Sequence, residues 1–347
     1  MKNIVQGDWG KIYSKVFAFV FFAILLLQLL GPDLRVNTVS DRFLWRVDLI
    51  EKFNGFRYWV GDRVFSAGLV GKDGWLFYSG DFSIHDYQKT APVSKKQLKG
   101  LAKILSLLNE HTTQYGGVLL VVIPPDKNTI YPQYMPDQIP VIGQTSRLDQ
   151  FMKYIQENTE VQVMDLRPAL LDASQSSQIY YKSDAHWNCP GAYYASNEII
   201  SRINTLYPEM QTHPLSDYEP GSIRDFSLDI STTMGLGLQE DTPTLTPKFP
   251  TGSMSYMPYE KNKSIQVAVN SQKDLPSAVI LHDSFYTECL NQFLEPQFSR
   301  ILSMHYGIAK LSDYIQLIDT EKPDVVIVEF AERHIEYFFK LISRGTE

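Results

Sequence analysis

The chain has 347 residues, of which 44% are hydrophobic and 20% are charged, and its formal net charge is −7. This composition is typical of a globular protein with one large domain or two smaller ones. The negative charge argues against nucleic acid as the main partner, because phosphate binding requires a basic face.

The first predicted element is an apolar N-terminal segment. An uncharged run extends from Val16 to Gly31 and, counted from Ile12, approaches the ~20 residues that a bilayer requires. Three lysines precede it, so the positive-inside rule places the N-terminus in the cytoplasm and the rest of the chain outside. A cleaved signal peptide is the alternative, but no A-x-A-like site follows. We predict a cytoplasmic tail at 1–11 and a transmembrane anchor at 12–31.

The next region, 32–70, has short helical patterns of mixed polarity and is predicted to form a stalk before the main domain at 71–347. Around the boundary, the stretch GLVGKDGWLFYSGD predicts a β-hairpin, because a Lys-Asp-Gly turn separates two apolar strands.

Apolar strands then alternate with amphipathic helices, apart from an irregular region at about 207–263. A capping box of Ser94 and Gln97 begins the first helix, and Pro190 lies in the first turn of a later one. This alternation predicts a parallel sheet with helices on both faces, and functional residues beyond the carboxyl ends of the strands. The predicted strands are GVLLVVIPP (117–125), VQVMDL (161–166), SAVILHDSF (277–285), RILSMHY (300–306) and DVVIVEF (324–330).

Ser284 follows one of these strands directly and precedes a predicted helix. A serine there would expose its hydroxyl beside helix N–H groups, which suit a developing oxyanion. The alternative is that Asp283 or Ser284 only caps the helix.

The segment Asp184-Ala185-His186-Trp187 provides a base and an orienting carboxylate for such a nucleophile. An Asp two residues before a His can accept a hydrogen bond from the imidazole Nδ1–H and fix the tautomer. Asp184 or Asn188 acting only as a helix cap is again the simpler interpretation. Two triad-like segments at two strand-to-helix junctions favour the catalytic one.

Metal and nucleotide sites are the chemical alternatives. Asp184, His186, His282 and Asp283 offer oxygen and nitrogen ligands, but no third histidine lies at ligand spacing, and H-E-x-x-H and C-x-x-C are absent. No glycine-rich phosphate loop occurs. We therefore predict no metal and no cofactor.

The chain contains two cysteines, Cys189 and Cys289. Outside the cytoplasm they could pair, and both would lie near the same end of the sheet if the triad assembles. Cys289 could also point away, so the sequence leaves a disulfide and two free thiols open.

Several motifs together resemble the SGNH-hydrolase-like O-acetyltransferases that modify bacterial exopolysaccharides, the alginate acetylation proteins and their relatives. A D-x-H-W segment followed by a later D-S-F is the most specific part. The motifs are GKDGWLFYSGD (71–81), VIPPDKNTIYPQYMP (122–136), SRLDQF (146–151), DLRPALL (165–171), YYKSDAHWNCPGAYYA (180–195), LHDSF (281–285) and KPDVVIVEFAERHIEYF (322–338).

The resemblance implies a flavodoxin-like three-layer α/β/α domain held outside the cytoplasm, with Ser284 as nucleophile, His186 as base and Asp184 as its orienter. It further implies a polysaccharide acceptor and a multispanning membrane O-acyltransferase as acetyl donor partner. One departure is His282, where SGNH hydrolases have glycine, so only the backbone of Ser284 is assigned to the oxyanion hole. Candidate substrate-binding residues in the family segments are Trp187, Lys127, Tyr131 and Arg333.

The sequence thus predicts a membrane-anchored O-acetyltransferase of a secreted or cell-wall glycan. A carbohydrate esterase of the same fold is one alternative, since the triad chemistry is identical. A non-catalytic glycan-binding scaffold of a secretion complex is the other.

Overall fold

The computed structural model of the chain describes residues 15–16, 18–23, 46–227, 229–308 and 310–343. The predicted cytoplasmic tail at 1–11 lies outside these ranges. Of the predicted anchor at 12–31, only 15–16 and 18–23 are described, and they are helical. Across the part of the chain that is described, no helix is both long enough and apolar enough to cross a bilayer.

The chain divides into two compact units, Met1–Asp62 and Arg63–Glu347. In the first unit, helix α1 (Arg46–Trp59) lies within the region predicted as a stalk. The predicted hairpin opens the second unit: β1 (Gly68–Val70) pairs antiparallel with β2 (Leu76–Tyr78).

The second unit contains the remaining strands and helices that the structure describes. Its further strands are β3 (Val118–Ile123), β4 (Gln162–Asp165), β5 (Tyr218–Ser227), β6 (Gln239–Pro247), β7 (Met254–Tyr259), β8 (Asn262–Asn270), β9 (Ser277–His282), β10 (Arg300–His305) and β11 (Val325–Glu329). Its α-helices are α2 (Ser83–Gln88), α3 (Lys95–Thr113), α4 (Lys127–Ile130), α5 (Arg147–Asn158), α6 (Arg167–Ala173), α7 (Cys189–Asn204), α8 (Asp229–Thr233), α9 (Asn291–Leu294), α10 (Leu311–Glu321) and α11 (Ile335–Ser343).

Seven strands form the central sheet in the order β4-β3-β11-β9-β10-β8-β7. The first five are parallel to one another, whereas β8 pairs antiparallel with β10 and β7 antiparallel with β8. These five parallel strands are the five that the sequence predicted, and β9 lies between β11 and β10.

The sheet separates two apolar cores. Alternate residues of the central strands point to opposite sides: Leu120 and Ile280 belong to one core, and Val121 and Leu281 to the other. Helices α6 and α7 cover the first core, and helices α3, α5, α10 and α11 cover the second. Strands buried on both faces explain the continuous apolar runs in the sequence. This is the predicted three-layer α/β/α arrangement.

The region predicted to be irregular, 207–263, is instead largely β-structure. Strands β5 and β6 form a separate antiparallel pair, with α8 between them along the chain, and β7 joins the central sheet. The prediction failed for two reasons. Strand β5 contains Pro220 and Gly221, which are unfavourable in strands. In β6, buried and exposed residues do not alternate regularly, so the alternating apolar pattern that indicates a strand is weak.

Candidate active site

Two connections at the carboxyl edge of the sheet carry the candidate residues. Ser284 follows β9, the strand between β11 and β10. Asp184 and His186 lie in a loop that is closed by a β-bridge between Tyr180 and Trp187 and leads into α7. We call residues 181–186 the Asp184 loop. The fold therefore brings together two segments that are far apart in the chain. His186 is hydrogen-bonded to Ser284, which lies 98 residues later.

His186 bridges the other two predicted residues. Its Nδ1 lies 2.6 Å from Asp184 Oδ1, and its Nε2 lies 2.7 Å from Ser284 Oγ. A carboxylate only accepts hydrogen bonds, so Nδ1 carries the hydrogen and Nε2 presents its lone pair to the serine hydroxyl. Asp184 and His186 are buried, and Ser284 is partly exposed. This geometry permits the serine proton to pass to the imidazole.

The Asp184 carboxylate is fixed by more than the histidine ring. Oδ1 also accepts the backbone N–H of His186 at 2.9 Å, and Oδ2 accepts that of Asp229 at 2.8 Å. Burial raises the pKa of Asp184, but the hydrogen bonds and charge of His186 and the N–H of Asp229 outweigh it and hold the pKa well below its usual range. Asp184 is therefore ionised at neutral pH and can stabilise a protonated imidazole.

Asp283 organises the turn that carries Ser284. Its Oδ1 accepts the N–H of Phe285 at 2.9 Å, and its Oδ2 accepts the N–H of Ala331 at 2.8 Å and lies 2.9 Å from His334 Nδ1. Burial raises the pKa of Asp283, but its contacts with His334 more than reverse this effect and leave the pKa below its usual range. The aspartate thus ties the nucleophile turn to the end of β11.

The helix predicted to begin after Ser284 is not regular. Residues Tyr286–Leu290 form a π-turn in which Glu288 and Cys289 leave helical conformation, with Cys289 at φ 68°. The indole N–H of Trp187 lies 3.1 Å from the carbonyl of Phe285 and 2.9 Å from that of Glu288, so these carbonyls are bonded to a side chain. Amide dipoles in such a turn are less well aligned than in an α-helix, which weakens the predicted helix-dipole contribution.

The two cysteines form a disulfide. Cys189 at the start of α7 is joined to Cys289 in the π-turn, with Cα atoms 5.2 Å apart. The bond links the element that follows His186 to the turn that follows Ser284, and it resolves the alternative that the sequence left open.

The candidate substrate-binding residues are buried. Trp187 is fully buried and braces the nucleophile turn, so its geometry is that of a core residue. Tyr131 is 4% exposed, and its hydroxyl accepts the N–H of Ile179 at 2.9 Å. Lys127 is 3% exposed and bonds to backbone carbonyls. These contacts do not support a role of the three residues in substrate binding, because the polar group of each side chain is hydrogen-bonded within the protein.

Arg333 is also buried, at 5% exposed, and lines a small cavity together with Lys127, Asp126 and Ala185 of the Asp184 loop. Its Nη1 pairs with Asp126 Oδ1 at 2.6 Å. Its guanidinium lies 5.3 Å from the ring centroid of Phe285, the residue that follows Ser284 in the chain. A role of Arg333 in substrate binding stays a prediction.

His282 occupies the position where SGNH hydrolases have glycine. Its ring packs against Tyr286 with a centroid distance of 4.5 Å, and its Nδ1 lies 2.8 Å from the carbonyl oxygen of Asp283. Burial lowers the pKa of His282 to about 4, so the ring is neutral and Nδ1–H donates to that carbonyl. The side chain thus points into the core beside the turn.

The sequence did not reveal two further contributors to the site. Asp229 provides only a backbone N–H, which leaves no signal in a sequence, and Glu240 lies in the region predicted as irregular. Neither position carries a motif. Within the described ranges, no three His, Cys, Asp or Glu residues are grouped so that they could hold a metal ion.

Comparison with known proteins relates this geometry to a family. The family model described as "SGNH hydrolase-like domain, acetyltransferase AlgX" matches residues 69–249, which include Asp184 and His186 but end before Ser284. A probable alginate O-acetylase AlgJ of Pseudomonas putida is 26% identical over 156 residues, and the AlgJ of Pseudomonas aeruginosa is 26% identical over 139. These matches cover 43% and 40% of this chain but only 39% and 34% of the relatives.

Solved structures share the fold at low sequence identity. Bacillus cereus PatB1 with a sulfonyl adduct is 14% identical with a TM-score of 0.58, over 78% of this chain and 99% of that one. The O-acetyltransferase domain of Pseudomonas putida AlgJ is 16% identical with a TM-score of 0.51, over 78% and 92%. Since the family model matches more than half of its residues, the chain belongs to the family of SGNH hydrolase-like acetyltransferase domains represented by AlgX.

Proposed function

We propose that this protein is an O-acetyltransferase that transfers acetyl groups to hydroxyls of a secreted or cell-wall polysaccharide through Ser284, His186 and Asp184. The observation that carries the proposal is the position of His186, hydrogen-bonded to Asp184 and Ser284 at 2.6 and 2.7 Å, in a chain of this acetyltransferase family.

In the first half-reaction, Ser284 Oγ attacks the carbonyl carbon of an acetyl donor while its proton passes to His186 Nε2. The imidazolium forms beside the ionised Asp184, which stabilises the new positive charge. The tetrahedral intermediate then collapses, and His186 returns the proton to the leaving group. The acetyl group remains on Ser284 as an ester. The backbone N–H of Ser284 is the one donor that we assign to the oxyanion.

In the second half-reaction, a sugar hydroxyl donates its proton to His186 Nε2 and attacks the acetyl carbon. Collapse of the second intermediate releases the acetylated sugar, and Ser284 Oγ recovers the proton from His186. Water can follow the same route. Transfer therefore requires the site to hold the sugar in attacking geometry, where effective molarities can reach about 10⁵ M or more, well above the ~55 M of water.

The acceptor is tested with an activated acetyl ester as donor and a panel of uronate-rich and neutral oligosaccharides. Acetylated sugar should appear by mass spectrometry, and the share of free acetate should fall as acceptor is added. If free acetate is the sole product with every glycan, the protein is an esterase of the same fold. A matched Ser284→Ala preparation controls for uncatalysed transfer.

The cellular setting is part of the same proposal. The apolar segment at 12–31 would anchor the chain with its N-terminus in the cytoplasm, and the catalytic unit would lie in the periplasm or outside the cell. A multispanning membrane O-acyltransferase would bring the acetyl group across the membrane. Support comes from the charge bias around the apolar run and from a disulfide that is typical of oxidising compartments.

A further inference from the structure

The Asp184 loop has little regular backbone structure of its own. Residues 182–186 form successive bends between the β-bridge partners Tyr180 and Trp187. Backbone N–H groups of Leu76 and Ser231 donate to the oxygens of Lys182 and Ser183, and beyond these bonds the position of the loop depends on the side chains that bind it. Since Asp184 orients His186, the location of this loop decides whether the imidazole points at Ser284.

Lys127 binds the carbonyl side of the loop. Its Nζ donates to the backbone oxygens of Tyr181 and Lys182, each at 3.0 Å, and to that of Asp184. An ammonium group has three hydrogens, and here each has a carbonyl partner. The side chain is 3% exposed and comes from α4, which follows β3 of the central sheet. Lys127 therefore connects the loop to the rigid core.

Glu240 of β6 binds the amide side of the same loop. Its Oε1 accepts the N–H of Lys182 at 2.9 Å and the side-chain amide of Gln178 at 3.1 Å. Its Oε2 accepts the N–H and the hydroxyl of Ser183, at 2.9 and 2.7 Å. Four donors converge on one carboxylate, an arrangement that only the ionised form satisfies fully.

We propose that Lys127 and Glu240 are positioning residues that hold the Asp184 loop from its two sides and thereby set the catalytic orientation of His186. The inference rests on the proposed function, in which Asp184 and His186 form the triad with Ser284. In this proposal Lys127 orients catalytic residues and does not bind substrate. The β5–β6 pair contributes to the active site through Glu240.

The test compares two near-isosteric variants with matched controls. Lys127→Met removes the three donors but keeps the length of the side chain, and Glu240→Gln places an amide N–H₂ where donors now converge. Lys103→Met removes an exposed lysine from α3, outside the loop, and Glu219→Gln removes an exposed carboxylate from the same β5–β6 pair. Thermal unfolding and circular dichroism establish that each variant is folded.

The first readout is the proton NMR signal of the His186 Nδ1–H, assigned by its loss in His186→Ala. It should shift or vanish in Lys127→Met and Glu240→Gln and stay in both controls. This measurement needs no turnover, so it tests the inference even if the proposed function fails. An unchanged signal in both folded variants overturns the inference.

The second readout is turnover of an activated acetyl ester. A misplaced loop should lower kcat by about 10²-fold with KM unchanged. In an Asp184→Asn background, Lys127→Met should cause little additional loss, because it acts through Asp184. If the full loss persists in that background, Lys127 acts independently of Asp184 and the inference fails. If the wild-type protein has no turnover and Ser284 is unreactive, the failure lies with the proposed function.

Discussion

At the scale of single residues, Lys127 is the buried cation whose ionisation bears most directly on the site. Burial lowers its pKa to about 7 from an ordinary value of 10.5, against the opposing charges of Asp184 and Glu240. Between these two pH values the unfolded chain holds a proton that the folded chain has released. Raising the pH through this window therefore stabilises the folded state, and lowering it towards 7 removes that stabilisation.

A comparison with Lys127→Met isolates this effect, because methionine does not titrate. The free energy of unfolding of the wild type minus that of the variant should rise as the pH increases from about 7 to about 10.5, as measured by denaturant unfolding at each pH. A difference that stays flat across this range would mean that the folded and unfolded chains share one lysine pKa.

At the scale of elements, the disulfide links the two halves of the site. It joins α7, which follows His186, to the π-turn, which follows Ser284, across a separation of 100 residues. A loop of this length gives a large loss of chain entropy in the unfolded state, and removing such a bond typically costs about 2–5 kcal/mol.

Replacing both cysteines by alanine should therefore lower the free energy of unfolding by that amount and reduce the reactivity of Ser284, because the π-turn loses its covalent tie to α7. Denaturant unfolding measures the first effect, and the rate at which a sulfonyl fluoride probe labels Ser284 measures the second. Titration of two free thiols in the unreduced, denatured wild-type protein would contradict the bond itself.

The sequence predicted some elements of the fold and missed others. Apolar runs predicted β3, β9, β10 and β11 because a strand buried on both faces must be apolar throughout. Strands β5 and β6 were missed because they lie outside the central sheet and lack such a run. The π-turn was missed for a different reason. It depends on Trp187 and Cys189, which are distant in sequence, and no local pattern records those contacts.

Within the site, local motifs identified the residues, but only tertiary contacts define their roles. Asp184, His186 and Ser284 stand in short recognisable segments. Only Ser284 lies at a strand-to-helix junction, whereas the segment of Asp184 and His186, predicted to be a second one, lies between α6 and α7. Trp187 and Lys127 stand in equally recognisable segments, yet both are buried and bond to backbone carbonyls. The hydrogen-bond partners separate the two groups: the triad side chains bond to one another, whereas Trp187 and Lys127 donate to backbone carbonyls. Partners that are distant in sequence are not encoded in a residue's immediate neighbours.

At the scale of the whole molecule, the proposed N-terminal anchor would decide on which side of the membrane the chemistry takes place. The predicted anchor at 12–31 and the basic residues before it imply that the C-terminus lies outside the cytoplasm. A reporter that is active only outside the cytoplasm, fused after Glu347, should therefore be active, and the protein should remain in the membrane fraction. Recovery of a soluble exported form beginning near Pro32 would show cleavage in place of anchoring.

The central claim is that Ser284 is a nucleophile activated by His186, and covalent labelling tests it most directly. A sulfonyl fluoride or fluorophosphonate probe should modify the protein at Ser284, as located by peptide mass spectrometry. Labelling should be absent in Ser284→Ala and slowed by orders of magnitude in His186→Ala, because the triad acts as a unit. His213→Ala, which changes a histidine that stacks on Phe249 and pairs with Asp217, should label like the wild type. Labelling that persists in Ser284→Ala, or an unmodified Ser284 in folded wild-type protein, would contradict the account.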